Sequence, residues 1–594
     1  MTPDDGGARR REAALLVVLA ALPALTLVLL PATPVGPAEW THWAEVVAMG
    51  GDGRLVIRNG GGLAPDPALR PGGLAAGRDG TVSTLSPGWS LIGSGLAAIL
   101  GPMAIQALNA LAAAITVILT HRLARAVTPD RAAALMSPAV LCLATFFPLA
   151  AWGLLPAAGG AACVAFALWR GLRATGRRDA AAAGLAAGAA TLFTPAAPVL
   201  LPLAVLLPRP LAIAALTGAL PGLAAAAAVH LARWGAVSPS PDTLTALALG
   251  WGAVATALPA RGIHRAALAA ATLAALALLP GTTDTLRTLW ALLADIRLSP
   301  VARGGVAMPS GTVYFDGHAR KALGQSLPWC LLVLILIRPG SGPLRLVLPL
   351  VAGWALFLAR RAVPDADGPI LFAMVPLLPL LSVAVAVIAV EAARTLATAR
   401  PLATGLLTGL LAYAIWLLLG ADRMAGPGQI LSLLALALLA ALALGARLMP
   451  SLPRARIALT GTGAGLALSA MALAQDAGAD AALRAAAARS SARIAMEPGR
   501  VLVAGRPAAM GHAPGRADRA LAATADPALI RRALDTGWRV LVAAEDAPRL
   551  LTAWGLVAGR RIALPSGDVV EILRPAAPPS ATSRGATRAS LVRP

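Results

Sequence analysis

The chain contains little charge, almost no lysine and very few cysteines and tyrosines. Only 13% of its 594 residues are charged while 58% are hydrophobic, and the mean hydropathy is +0.73. Soluble proteins of this size are closer to a quarter charged, so long stretches of this chain offer water no polar face. The shortage of charge excludes an ordinary soluble protein and indicates that lipid is the solvent.

The three cysteines, Cys142, Cys163 and Cys330, lie in or beside apolar runs and have no paired spacing. This excludes a disulfide framework and a zinc site built on cysteine. The chain also lacks HExxH, P-loop, GxSxG and GxGxxG motifs in the strand and helix settings that give them meaning. Zinc proteases, ATP-driven pumps and dinucleotide enzymes are therefore disfavoured.

Lys321 is the only lysine, so the net charge of +22 comes from arginine. The arginines occur in short clusters between apolar runs, as the positive-inside rule predicts for membrane proteins. They do not form a stripe with interleaved aromatic residues, which a nucleic-acid-binding surface would need. Nucleic acid is excluded as a partner.

Apolar runs recur along the chain, and their lengths predict about 13 to 15 transmembrane helices. The first run follows Arg9 to Glu12 and resembles a signal peptide, but without a clear cleavage site it predicts a retained signal anchor. The run at 180–207 contains Pro195 and is long enough for two short helices packed as a hairpin. The runs lie near 13–31, 102–121, 131–150, 156–172, 180–207, 211–231, 242–259, 266–280, 326–338, 343–359, 368–390, 401–420, 428–446 and 456–475.

The arginine-bearing short loops all fall on one side of the membrane if the spans alternate and 180–207 crosses twice. That side is cytoplasmic, so we expect a multi-pass protein of the bacterial inner membrane with a cytoplasmic N-terminus. The predicted division is a cytoplasmic segment 1–12, a transmembrane domain 13–475 with outer loops 32–101 and 281–325, a periplasmic domain 476–576 and a disordered tail 577–594.

The C-terminal part differs in character from the apolar runs. Residues 500–504, 539–543 and 568–573 are predicted as strands, and residues 526–536 as a capped helix. The fold class expected from the sequence is therefore an all-α polytopic membrane protein with a small α/β C-terminal domain.

Ionisable residues follow closely on the first span. Glu39, His42 and Glu45 lie in a short segment with Trp40 and Trp43. The tryptophans are typical of the membrane interface, which explains the segment without any function. Placing a carboxylate at that depth costs free energy, and a functional role would explain why it is there. Glu39 is therefore the stronger catalytic candidate.

Four segments carry a resemblance to a known family. The segment 37–45 resembles an Asp-Glu-x-x-Tyr loop, 86–91 a Pro-Pro-Gly-x-x-Leu stretch, 184–195 a Gly-x-x-x-Gly…Thr-Arg-Pro helix end, and 233–239 an Asn…Phe-Gly-x-Pro turn. Together they resemble the GT-C superfamily of membrane glycosyltransferases, such as protein O-mannosyltransferases and the aminoarabinose transferases of lipid A. The likeness spans about residues 10–240. Ala38 replaces the first acid of the pair, the Thr-Arg-Pro arginine is missing, and 155–157 lacks a glutamate.

The resemblance implies inverting transfer of a sugar from a polyprenyl phosphate to a cell-envelope glycan or lipid at the periplasmic face. Glu39 would be the base that takes the proton of the acceptor hydroxyl, and cationic groups would stabilise the lipid phosphate. The phosphate partners would be Arg360, Arg361, Arg233 and His42, with Glu45 as a further substrate contact. Arg360 and Arg361 also fit a pair of arginines that snorkel at a helix end.

The outer loop 281–325 holds Tyr314, Asp316 and His318 in an otherwise featureless background. These residues fit contacts to sugar or acceptor, and they equally fit a capped loop. The resemblance leaves a divalent cation open as a cofactor, and we assign no residue as a metal ligand.

Two other functions stay open at this point. A catalytically inactive GT-C-fold protein is consistent with Ala38 and the missing arginine. A secondary transporter or flippase is less consistent with the sequence, because transporters carry mid-membrane charges and similar halves, and neither is evident here.

Overall fold

The structure is a computed structural model. It describes residues 5–35, 37–59, 74–235, 241–257, 306–307, 313–315, 318–320, 323–330, 344, 347–361, 370–420, 453–504, 518–522, 525–544, 546–565 and 568–574. The predicted spans at 266–280 and 428–446, most of the loop 281–325, and the tail 577–594 lie outside these residues.

Helices make up the membrane part, as the composition predicts. Within the described ranges, four helices are long and apolar enough to cross a membrane, at Pro102–Val127, Arg209–Trp234, Ala373–Leu396 and Ala455–Ala495, and six shorter apolar helices accompany them. The all-α polytopic fold class is confirmed.

The helices of the first half are α1 (Asp5–Leu29), α2 (Pro37–Asp52), α3 (Gly88–Leu100), α4 (Pro102–Val127), α5 (Arg131–Leu143), α6 (Phe147–Trp152), α7 (Ala157–Leu172), α8 (Arg177–Ala190), α9 (Arg209–Trp234) and α10 (Pro241–Ala257). A 3-10 helix spans Ala197–Leu206. The run at 180–207 is therefore divided into α8 and this 3-10 helix, with Pro195 in the break, as predicted.

The second half contains α11 (Leu323–Ser326), α12 (Val347–Arg361), a 3-10 helix (Ile370–Leu377), α13 (Leu378–Leu396), α14 (Arg400–Gly420) and α15 (Arg454–Ala495). Helix α15 continues well past residue 475, where the sequence predicted the end of the last span. The described residues also form two small antiparallel sheets. One pairs β1 (Leu74–Ala76) with β2 (Thr81–Ser83), and the other joins β3 (Val306–Ala307), β4 (Val313–Phe315) and β5 (His318–Arg320).

Two helix pairs approach closely through glycine. A Cβ atom on Gly188 of α8 would lie 2.3 Å from the carbonyl oxygen of Ala219 in α9, and one on Gly405 of α14 would lie 2.0 Å from that of Thr460 in α15. Small residues four apart allow this backbone contact in membrane helices, where lipid gives no hydrophobic drive for association.

Helix α3 has one buried face and one exposed face. Its buried face carries Trp89, Ser90 and Gly93, while Ile92 and Ile99 on the other face are exposed by 59% and 80%. An exposed apolar face on a 13-residue helix is typical of a segment lying in the membrane interface.

The C-terminal domain is a five-stranded sheet of order β7-β6-β8-β10-β9. Its elements are β6 (Val501–Ala504), β7 (Arg519–Ala522), α16 (Pro527–Asp535), β8 (Arg539–Ala543), α17 (Ala547–Trp554), β9 (Val557–Ile562) and β10 (Val569–Leu573). Strand β6 runs parallel to β7 and β8, and β10 runs antiparallel to β8 and β9. The predicted strands and the helix capped by Asp526 are confirmed.

Strands β6 and β8 are buried on both faces, which explains why they are apolar without alternation. Leu502 and Ala504 face a core with the helices α16 and α17. Val501 and Val503 face the opposite way and pack with Trp40 of α2 and with other residues of the first outer loop. The C-terminal domain therefore rests directly on the segment that the sequence singled out.

Candidate functional site

Helix α2 directs three ionisable side chains into the protein. Glu39, His42 and Glu45 are spaced by three residues, so they follow one side of the helix. All three are buried, with exposures of 2%, 0% and 0%. Charged groups are almost never this buried unless they are paired, so their partners define the site.

Glu39 is held by Arg484 of α15. The guanidinium donates to both carboxylate oxygens, with Nη1–Oε2 at 3.0 Å and Nη2–Oε1 at 2.8 Å. The backbone N–H groups of Val35 and Leu154 donate to the same carboxylate at 2.9 and 3.1 Å. Arg484 also donates from Nε to Asp480 at 2.8 Å. Four donors fill the lone-pair sites of Glu39, and the contact ties α2 to the last helix.

Glu45 is held from two sides. Arg233 of α9 donates from Nη2 to Oε1, and the Ser90 hydroxyl of α3 donates to Oε2 at 2.8 Å. Arg233 also donates from Nη1 to the carbonyl oxygen of Leu85 at 2.7 Å. Burial raises the pKa of Glu45, while Arg233 and Ser90 act to lower it. Arg233 Nε is buried and has no hydrogen-bond partner among the described residues.

His42 lies between these two ion pairs on α2. Neither ring nitrogen has a hydrogen-bond partner among the residues that the structure describes. Burial and the positive charge of Arg233 lower the pKa of His42 to about 3, against a smaller opposing effect of Glu39. The imidazole is therefore neutral, with one N–H donor and one free lone pair.

Helix α3 is fixed to the outer ends of its neighbours. Trp89 Nε1 donates to Asn109 Oδ1 at 2.7 Å, and Asn109 Nδ2 donates to the carbonyl oxygens of Gly153 and Leu155 at 2.7 and 2.9 Å. The Trp89 ring meets Phe193 edge to face at 4.9 Å between centroids. The Gly88 N–H donates to the Leu192 carbonyl at 2.8 Å.

These contacts bring together all four segments that carry the family resemblance. The 37–45 segment meets the 86–91 stretch through Glu45 and Ser90, and it meets the 233–239 turn through Glu45 and Arg233. The 86–91 stretch meets the 184–195 helix end through Gly88 and Leu192. Segments up to 188 residues apart in sequence thus form one buried polar cluster.

Not every predicted site residue can be placed in this cluster. Tyr314 pairs in strand register with Val306 and Ala319, and His318 pairs with Phe315. Arg360 and Arg361 end α12. The side chains of these four residues, and all of Asp316, lie outside the described residues, so their roles stay predictions.

Sequence reasoning missed the partner side chains. Arg484, Asp480, Ser90 and Asn109 were not predicted as site residues. The sequence could have identified two of them. Asp480 and Arg484 are four residues apart in an alanine-rich helix, so they lie on one helix face.

The site does not fit a divalent cation. Among the described residues, no group of three or more His, Cys, Asp or Glu side chains could hold a metal ion. Each acid of α2 already faces a guanidinium, which takes the place that a cation would need.

No protein-family model matches the chain, and no curated protein sequence matches it significantly. Solved structures do resemble it. ArnT from Cupriavidus metallidurans in the apo state is 15% identical with a TM-score of 0.48, covering 95% of this chain and 98% of ArnT. The same protein bound to undecaprenyl phosphate is 14% identical with a TM-score of 0.46, covering 96% and 98%.

The archaeal oligosaccharyltransferase AglB from Archaeoglobus fulgidus, in complex with an inhibitory peptide and a dolichol-phosphate, is 12% identical. Its TM-score is 0.44, and the match covers 91% of this chain and 70% of AglB. These structures are GT-C-fold glycosyltransferases, the class that the sequence motifs resemble. At such identities and TM-scores the likeness carries no argument about function, and it assigns no role to any residue of this chain.

Proposed function

We propose that the chain is a membrane glycosyltransferase of the GT-C kind that moves a sugar from a polyprenyl phosphate to a cell-envelope acceptor. The reaction takes place at the periplasmic face of the bacterial inner membrane. The N-terminus lies in the cytoplasm. The C-terminal domain, which comprises residues 476–576, lies in the periplasm. Both assignments rest on the arginine-bearing loops.

One observation carries this proposal: the four family-like segments meet in a single buried cluster that includes Glu39, Glu45, Arg233 and Ser90. Buried charges are costly. A site for an anionic lipid substrate explains why Arg233, which keeps an unpartnered donor among the described residues, is directed into this part of the protein.

Arg233 supplies positive charge for the lipid phosphate in this proposal. Its Nε–H is the one donor of the guanidinium fork that is both buried and unpartnered among the described residues, so it is available to a phosphate oxygen. Stabilising the departing phosphate is the largest contribution that a site of this type makes to the rate. The prediction that Glu39 is the base requires that Arg484 first release one carboxylate oxygen.

A deletion strain tests the function. Loss of the gene should cause a polyprenyl-phosphate sugar to accumulate and an envelope glycan or lipid to lose that sugar, as measured by mass spectrometry of extracts. Complementation with Arg233→Gln should leave the donor accumulated, whereas Arg209→Gln at the exposed start of α9 should restore turnover. A deletion strain with unchanged lipid-linked sugars and unchanged glycans would refute the transferase.

A second candidate is a catalytically inactive protein with this fold. It is favoured because the chain's own arginines neutralise both α2 acids. In that case deletion alters the envelope, but Arg233→Gln complements as well as the wild-type chain does.

A further inference from the structure

His42 differs from its two neighbours on the same helix face. Glu39 and Glu45 each accept hydrogen bonds from an arginine and from at least one further donor, whereas both His42 nitrogens are buried and unpartnered among the described residues. Buried polar side chains are nearly always hydrogen-bonded, so an exception requires an explanation, and a catalytic role or a bound ligand is one.

The proton acceptor of the proposed reaction must have a free lone pair. The four donors around Glu39 occupy its lone-pair sites, and a carboxylate paired bidentately with arginine is a weak base. Glu45 is likewise engaged by Arg233 and Ser90. Within the described ranges, Glu45 accepts only these two hydrogen bonds and keeps lone-pair sites, but its charge is neutralised by Arg233. The neutral imidazole between them is the one group of the three that receives no hydrogen bond from any described residue.

We propose, on the basis of the proposed transferase function, that His42 is the general base that takes the proton of the acceptor hydroxyl. Its remaining ring N–H donates to an oxygen of the substrate. Glu39 then has a different task, which is to position α2 through Arg484.

The step balances in atoms and charge. The acceptor hydroxyl gives its proton to the free ring nitrogen while its oxygen bonds to the anomeric carbon of the sugar. The bond from that carbon to the phosphate oxygen breaks, and its electron pair leaves with the lipid phosphate. The phosphate gains one negative charge as His42 becomes an imidazolium, so the two charges that form are opposite in sign and no net charge develops in the buried site.

Burial keeps the ring unprotonated in the absence of substrate, and the same low pKa makes it a weak base until the donor arrives. The ring is uncharged because burial and Arg233 lower its pKa to about 3, so its lone pair is not already protonated. Arrival of the anionic donor places a negative charge near the ring, which favours the protonated form. Because the ring has no exposed surface, the acceptor reaches it only when the cluster opens around the substrates.

The test uses the purified full chain and, as its probe, the lipid extract of the deletion strain, which contains the accumulated donor together with its envelope acceptors. His42→Gln should slow donor consumption by about 100-fold or more, since a general base contributes about 10²–10⁴-fold. The matched control is His121→Gln. His121 pairs with Glu12 beside the first helix, and this variant should consume donor as the wild type does.

A second variant separates a missing base from a misfolded protein. His42→Ala should be inactive, and added imidazole should restore consumption in proportion to its concentration, which a purely structural role would not allow. Consumption by His42→Gln within threefold of wild type would overturn the assignment, and so would failure of imidazole to rescue His42→Ala. If the wild-type chain itself consumes no lipid-linked sugar, the transferase proposal falls, and the role of His42 falls with it.

Discussion

The two ends of α2 are both closed by a buried glutamate–arginine pair, but the pairs are built differently. At the Glu39 end the arginine comes from α15, binds with both Nη atoms and is shared with Asp480. At the Glu45 end Arg233 comes from α9, binds with one Nη atom and keeps its Nε unpartnered among the described residues. The first arrangement is saturated, as in a structural joint, and the second retains a donor, as in a binding site.

The largest loss of stability is expected from breaking the pair between Glu39 and Arg484. Arg484→Met would leave Glu39 and Asp480 buried without compensation, which should destabilise the protein by about 3–5 kcal/mol. Thermal unfolding in detergent measures the loss, with Arg489→Met on the exposed side of α15 as control. Equal stability of the two variants would show that the Glu39 end is not a structural joint.

The Glu45 end can be disturbed without touching either of its charges. Gly188→Ala places a Cβ atom against the α9 backbone, so α9 must shift and carry Arg233 with it. Overpacking of this kind costs about 1–3 kcal/mol, and we expect donor turnover to fall while the C-terminal domain stays docked.

The control is Gly171→Ala on α7, where an added Cβ meets nothing within 4 Å. Limited proteolysis of the C-terminal domain should be unchanged in both variants. Release of that domain by Gly188→Ala would mean that the two ends of α2 are not independent.

The protonation of His42 makes the free energy of unfolding depend on pH. Its pKa is lowered to about 3 in the folded protein, so the stability that it contributes is complete above its ordinary pKa of 6.5 and is lost as the pH falls towards 3. Between pH 7 and pH 5 this amounts to a loss of about 2 kcal/mol, because the unfolded chain binds the proton and the folded one resists it. Unfolding at both pH values should show a clearly smaller pH dependence for His42→Gln than for the wild-type chain.

The smallest effect concerns a second contact between the C-terminal domain and the segment that follows α2. The Asn59 side chain donates to the carbonyl of Leu521 at 2.8 Å and accepts from its N–H at 2.9 Å, so it pairs with the edge strand β7 as a neighbouring strand would. Asn59→Ala should cost about 1 kcal/mol and speed hydrogen exchange at the Leu521 amide. Exchange at Leu541, in the central strand β8, should not change.

Local patterns in the sequence predicted the elements that depend on local chemistry. The valine-rich segments 501–504 and 539–543 are strands because β-branched residues fit a buried sheet, and Asp526 caps its helix as such a residue should. Strand β7 (Arg-Ala-Leu-Ala) was missed because alanine has no strand preference, and β9 because its residues are largely exposed.

The end of α15 was missed for a related reason. Hydropathy marks where an apolar run ends, whereas alanine continues a helix wherever it occurs, so α15 extends from its apolar part through Asp480 and Arg484 to Ala495. The three α2 candidates could be found from their spacing. Their partners could not, because Glu39 and Arg484 are 445 residues apart and only the folded chain brings them together.

Helix α15 has 42 residues, so at 1.5 Å per residue it is about 63 Å long, roughly twice the thickness of the hydrocarbon core. The number of residues in such a helix sets two things. One is how far along the helix axis the C-terminal domain lies, and the other is the direction in which the domain faces around that axis. Adding one residue between Arg484 and Ala495 would turn the sheet by about 100° and move it about 1.5 Å further along the helix axis. The number of helical residues after Arg484 therefore sets the distance from the Glu39–Arg484 pair to the sheet.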